Sequence, residues 1–280
     1  MSKVKRNQII AYSLLSLAAA LTVTILLAIV FYIMSRGLAM INLAFLLEEP
    51  RRMGAEGGIY PAILGTVYLV GVTLLLATPI GVGTAIYLNE YIREGLFKKV
   101  IRFTTEALAG IPSIVFGLFG FIFFVILLRD ITGGWSIISG SLTGVMMILP
   151  VVIRASEEAL RNVPNPLREG SLALGTTRWY TIKKIVLPLA FPGILTSLIL
   201  SIGRVVGETA AFLLTLGGSL LIPRTLFDGS RTLSLHLYMV AMETGNMDMA
   251  FGTGAVLIIL IIIINFLAGA LFKRLIKRFS

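Results

Sequence analysis

Six stretches of this chain are apolar over lengths that match a lipid bilayer, and nothing else in it limits the possible folds as strongly. A helix needs about 20 apolar residues to cross the hydrocarbon core. Residues 9–34, 61–88, 104–128, 137–153, 189–217 and 251–272 meet or approach that length, separated by charged or Gly/Pro-rich breaks, with 137–153 the shortest. Backbone polar groups in lipid must be satisfied internally, so the expected fold class is an all-α integral membrane protein with six transmembrane helices in one domain, residues 1–280. With 57% hydrophobic and 14% charged residues, the chain is far from a soluble domain, where charged residues make up about a quarter. The first run follows Lys3, Lys5 and Arg6 and is longer than a signal-peptide core of about 7–15 residues, which reads as a retained helix.

Basic residues set the expected orientation. The N-terminal segment, the 89–103 loop, the 154–188 loop and the C-terminal segment hold seventeen of the 24 Lys and Arg. The opposite loops hold Arg36, Arg51, Arg52, Arg129, Arg224 and Arg231, with Arg204 left inside a span. Both termini and the 154–188 loop are therefore expected in the cytoplasm, in a multi-pass protein of the plasma (inner) membrane. The net charge of +10 follows from topology and asks for no nucleic acid. Small residues at Ala18–Ala20, Gly81 and Gly83, and Gly140 to Gly144 allow helices to approach closely. Thr78-Pro79 and Ile111-Pro112 place prolines where kinks or discontinuities are expected, structural or gating.

Several chemistries are excluded or disfavoured. There is no cysteine, which removes disulfides and thiol chemistry. The single histidine, His236, reads as a plain loop residue and cannot build a His-rich metal site. No Gly-x-x-x-x-Gly-Lys-Ser/Thr loop occurs, so any energy source must lie in a partner or an ion gradient.

The 154–188 loop carries a spaced pattern: Glu169, Gly170, Ser171, Leu172, Ala173, then Gly175, and after nine further residues Ile185, Leu187 and Pro188. Asn165-Pro166 supplies a cap and a first-turn proline, with Glu169 close behind and Gly175 able to end the turn. Arg178, Trp179, Tyr180, Lys183 and Lys184 suit contact with a partner or with lipid headgroups. By its residues alone this is an amphipathic cytoplasmic loop. Its spacing resembles the "EAA" loop of ABC importer permeases, with Gly170 and Ser171 replacing the two alanines. The resemblance implies a type I, MetI-like architecture and a short helix that docks in a separate ATPase and transmits its motion.

Gly203-Arg204-Val205-Val206-Gly207-Glu208-Thr209 falls within the fifth apolar run. A charge there costs about 2.5–3.5 kcal/mol on insertion scales and requires a partner or a polar cavity. Arg204 and Glu208, four apart, either neutralise each other on one helix face or line a path in which the guanidinium fork meets an oxyanion. Together with Gly58–Thr66 and Ala107–Gly117, this run resembles the PstA-type permease of phosphate-specific ABC importers over about residues 57–272. That family often has proline where this chain has Ala211.

The resemblance implies a PstC-type second permease, a PstB-type ATPase dimer holding ATP and Mg, an extracytoplasmic phosphate-binding protein, and inorganic phosphate as cargo on a path past Arg204, Glu208 and Thr209. No cofactor is expected on this chain itself. Residues 217–250, with Arg224, Asp228, Arg231 and Glu243, read either as a docking surface for the binding protein or as a lipid-interface loop with an amphipathic stretch at 233–242. Two other functions stay open at this point: an ABC permease for sulfate or molybdate, and an ion-coupled transporter using Glu208 or Glu106 as proton carrier.

Overall fold

The computed structural model describes residues 3–279, and within them the side chains of all but Lys3, Arg6 and residues 271–279. Lys3, Arg6, Lys273, Arg274, Lys277 and Arg278, which enter the charge asymmetry, therefore lie outside the described side chains. The chain opens with α1 (Lys3–Gly37), then α2 (Leu43–Leu47) and a ribbon of β1 (Pro50–Arg51) and β2 (Glu56–Gly57), with Pro50 opposite Gly57. Next come α3 (Tyr60–Ile86), widened into a π turn at Tyr87–Tyr91, α4 (Leu96–Ala109), and α5 (Ser113–Gly120) with its π extension Phe121–Leu127. After α6 (Arg129–Thr132) and α7 (Ile137–Arg161) follow α8 (Asn165–Ala173), α9 (Arg178–Thr181), the π turn Ile182–Val186 and α10 (Leu187–Gly207). The chain continues with α11 (Ala210–Thr215), α12 (Leu233–Met239) and α13 (Met247–Phe279).

Five of the six expected spans are long apolar helices among the described residues, and the sixth is a bent pair. The run expected at 104–128 is not one helix. Between α4 and α5 the axis turns by 100° at Gly110-Ile111-Pro112, because Pro112 brings no N–H and steers Ile111 away from helical angles. The second arm begins at Ser113. Residues 104–109 belong instead to α4, which exposes Leu96, Phe97, Val100 and Phe103 and buries Lys98 beside Glu94. By contrast α7, shortest in the sequence reading, runs 25 residues with Pro150 inside it.

Packing between α3 and α7 forms the centre. A Cβ on Gly81 would lie 2.6 Å from Val152, and one on Gly144 3.0 Å from Thr73. These glycines let the backbones close enough for Thr73 Oγ1 to donate to Ser141 O (3.4 Å) and Ser141 Oγ to Leu69 O (3.5 Å). Leu69, Met147, Ile148, Phe212 and Leu216 fill the space around them. Such contacts substitute for a hydrophobic force between helices that lipid does not supply. Ala18–Ala20 make no such approach and are exposed; α1 meets α13 instead at Gly37, where a Cβ would lie 2.2 Å from Phe251 O.

The loops gather at two ends. Segments 89–103 and 154–188 meet through Arg168–Glu90 and Arg102–Glu157. At the other end Asn246 reaches Ala55 O (2.9 Å) and Ile137 N donates to Asp228 O (3.1 Å). The two groups are those that the basic-residue count separates.

Candidate functional site

The patterned loop folds as a short helix followed by a turn. α8 takes Pro166 into its first turn, but its N-cap position is Pro164, without a side-chain cap. Asn165 is already helical, and its Oδ1 accepts from Arg168 Nη1 (3.3 Å) rather than from a backbone N–H. The expected Asn165 cap is therefore not formed. Gly175 adopts φ +79 and donates its N–H to Leu172 O (2.9 Å), closing the helix, a conformation that side chains with a Cβ resist.

Glu169, Gly170, Leu172, Ala173 and Gly175 are exposed, and Glu169 makes no hydrogen bond or ion pair among the described residues. Leu174, Trp179 and Tyr180 extend this outward face with apolar surface. Ser171 faces the other way: its hydroxyl lies 2.8 Å from Thr176 Oγ1 and 2.9 Å from Thr181 Oγ1, pinning the turn beneath. Ile185, Leu187 and Pro188 are half-buried where α10 begins. The pattern thus divides into a free face and an anchoring face.

Sequence reasoning missed the anchor. Arg168 places Nε 3.3 Å from Glu90 Oε2 and Nη2 2.9 Å from Glu90 Oε1. It also donates to Leu160 O (2.8 Å) and Val163 O (2.5 Å), and with the Asn165 contact every N–H of the guanidinium finds an acceptor. Both side chains are largely buried, at 15% and 10% exposure. An alternation of Arg and Glu is unremarkable in sequence; only the 78-residue separation closed by the fold gives the pair meaning.

Along the same end runs a partly buried ion network. Glu94 lies 2.9 Å from Lys98 and 3.5 Å from Arg102, which also binds Glu157. The hydrogen bond from Lys98 holds the Glu94 carboxyl below its usual range. Glu106 pairs with Arg154 at 3.2 Å.

The second constellation differs from expectation. α10 stops at Gly207, and Glu208 (ψ 133) and Thr209 leave helical geometry before α11 starts. Arg204 and Glu208 therefore do not share a continuous helix face, and they form no ion pair. Arg204 stands half-buried in the last turn of α10 with no hydrogen bond or ion pair among the described residues. Glu208 Oε1 accepts from Ala211 N (3.2 Å), and Glu208 O accepts from Ser234 Oγ (2.7 Å). Each charge sits at the helix end whose dipole favours it, cation at a C-terminus and anion at an N-terminus. A proline at 211 would lack the N–H that Glu208 uses. Broken backbone at membrane depth requires protein or a water-filled cavity around it. Thr209, beside the break, is half-buried.

On the opposite end, α12 is not an interfacial helix: Leu233, Ser234, Leu235 and His236 are buried between α3, α11 and α13. His236 is thus no loop residue. It is 1% exposed, with Nε2 unpartnered and Nδ1 3.5 Å from Arg231 Nη1. Burial, reinforced by Arg231, pushes its pKa down to about 4. Arg231 is likewise buried, donating from Nε and Nη2 to Gly218 O (3.0 and 2.8 Å), and so is unavailable for docking. Asp228 accepts from Arg224 N and Thr225 N (2.8 Å each), which holds its carboxyl below the usual range. Arg224 and Glu243 remain exposed.

Residues 77–280 match the family described as "Binding-protein-dependent transport system inner membrane component". The chain is 34% identical over 288 residues to the probable ABC transporter permease protein YqgI of Bacillus subtilis (strain 168), covering 97% of each. It is 42% identical over 220 residues to the phosphate transport system permease protein PstA 1 of Mycobacterium tuberculosis (strain CDC 1551 / Oshkosh), covering 78% of this chain and 71% of that protein. Among solved structures, the fold resembles a chain of the bacterial alginate ABC transporter in complex with an alginate pentasaccharide-bound periplasmic protein. The TM-score is 0.71 at 18% identity, over 98% of this chain and 97% of that one.

Proposed function

This chain belongs to the family of binding-protein-dependent transport system inner membrane components, and from that premise we propose that it is the PstA-type permease of an ATP-driven importer of inorganic phosphate. It is a membrane permease subunit of an ABC transporter rather than the catalytic one. Its partners in this reading are a PstC-type permease, a PstB-type ATPase dimer that binds ATP and Mg, and an extracytoplasmic phosphate-binding protein. Both termini and α8 face the cytoplasm. ATP-driven closure of the ATPase dimer moves α8, and the cavity between the two permeases exchanges one exposure for the other.

The observation that carries the substrate path is Arg204, a guanidinium without an ion-pair partner among the described residues, at the end of a broken span. Its planar fork suits a tetrahedral oxyanion. Glu208, occupied with Ala211 N, maintains the break and thereby the place of Arg204, and Thr209 offers a hydroxyl beside it. The relationship to PstA proteins selects phosphate over sulfate or molybdate. An ion-coupled mechanism is disfavoured, since Glu208 caps a helix and Glu106 pairs with Arg154.

The test is ATP-dependent uptake of labelled phosphate into vesicles carrying the assembled complex. Arg204→Ala is expected to abolish uptake with insertion and assembly intact, and Arg204→Lys to recover little, because a point charge lacks the bidentate geometry. Native uptake by Arg204→Ala refutes the path. Strong competition by sulfate or molybdate shifts the cargo to those anions.

A further inference from the structure

α8 can move the membrane helices only through what joins it to them, and that joint is narrow. Ser171 is the buried residue of α8; of its hydroxyl partners, Thr176 belongs to the turn that follows and Thr181 ends α9, the start of the long helix Arg178–Gly207, so this contact ties α8 to the fifth span alone. Toward the second span, Arg168 reaches Glu90; among the described residues no other hydrogen bond or ion pair links α8 with Tyr87–Tyr91. The same guanidinium holds the carbonyls of Leu160 and Val163, at the end of α7.

We propose that Arg168 and Glu90 are positioning residues that form the joint through which displacement of α8 reaches α3 and α7 together. The inference deepens the transporter reading and rests on it. Apolar contacts slide at little cost, whereas a bidentate pair withdrawn from water resists both stretching and rotation. A buried ion pair is weak evidence for stability, since apolar replacements are often neutral; what this one adds is a fixed register between three segments. Glu90 itself rides on the π turn Tyr87–Tyr91, a widened segment of a kind that marks functional sites. A pull on Arg168 therefore acts on a compliant end of the second span and on the stiff terminus of α7 at once.

The experiment uses the assembled complex in proteoliposomes, reading ATP hydrolysis, phosphate uptake and retained ATPase subunit in the same preparation. Arg168→Met with Glu90→Leu leaves no uncompensated buried charge. It is expected to keep the ATPase bound and hydrolysing while uptake per ATP falls about tenfold, within the range that changes along a coupling route produce. In a second variant, Arg168→Cys with Glu90→Cys in this cysteine-free chain, a reversible thiol cross-linker should restore uptake per ATP, and its cleavage should abolish it again. Native uptake per ATP in the double apolar variant, or no recovery on cross-linking, overturns the joint. Loss of the ATPase subunit from that variant also overturns it, making the pair a docking element. If the native complex itself shows no ATP-dependent uptake, the transporter reading fails first and the joint with it.

Discussion

Two glycines five residues apart in the patterned loop should respond to alanine with opposite signs. Gly170 lies inside α8, is exposed, and a Cβ there would meet nothing within 4 Å. Gly170→Ala removes only the entropic cost of glycine in a helix, a gain of about 0.5–1 kcal/mol. Gly175 is equally open to space but holds φ +79. Forcing an L side chain into that left-handed geometry costs about 1–2 kcal/mol. Because the loop is small and exposed, the effect should register as local opening rather than as global unfolding. At 1.36 kcal/mol per factor of ten, amide hydrogen exchange in α8 and its closing turn should slow about two- to fivefold in Gly170→Ala. In Gly175→Ala it should accelerate about five- to thirtyfold by the same conversion. Gly175→Leu shares the backbone strain and adds bulk beyond a Cβ that itself meets nothing within 4 Å. Any further loss of bound ATPase in Gly175→Leu beyond Gly175→Ala therefore measures contact with the partner. Exchange in Gly175→Ala that equals or falls below that of the native chain refutes the argument that this turn depends on a left-handed residue.

Topology is checked by an impermeant thiol reagent applied to sealed cells: Arg224→Cys, exposed at the end opposite α8, should label, and Arg178→Cys should not. Arg224 is preferred to Asp228, whose carboxylate holds its turn together. The depressed pKa of His236 gives a sign as well. The unfolded chain binds a proton near pH 6.5 and the folded one only near 4, so the stability from keeping His236 neutral is complete above pH 6.5 and is lost as pH falls toward 4. At pH 5 the loss is about 2 kcal/mol. Thermal unfolding of native protein and of His236→Leu across this range should show that part of the acid sensitivity vanishing in the variant; identical pH dependence would contradict the buried, neutral assignment.

The lengths of the apolar runs determined the membrane fold, because a bilayer fixes how much helix is needed whatever the packing. Local chemistry at Pro166 and Gly175 likewise marked the start of the short helix of the patterned loop and its end, since a missing N–H or a left-handed angle is a property of the residue itself. The elbow at Gly110–Pro112 was only half legible: a proline was visible there, but the apolar content of 104–109 concealed that those residues lie on the far side of a 100° turn. The remaining features arise between segments. Glu208 caps α11 instead of meeting Arg204 because the chain leaves the helix after Gly207, where Ser234 from a distant segment takes the Glu208 carbonyl. His236 looks like an ordinary outer-side residue until α12 packs between three helices. Arg168 and Glu90 become partners only when the end of the second span is brought beneath α8. Periodicity and composition report how a residue partitions between lipid, water and protein; which buried polar group answers which is decided by tertiary proximity, because the cost of leaving either one unpaired is felt only once both have left water.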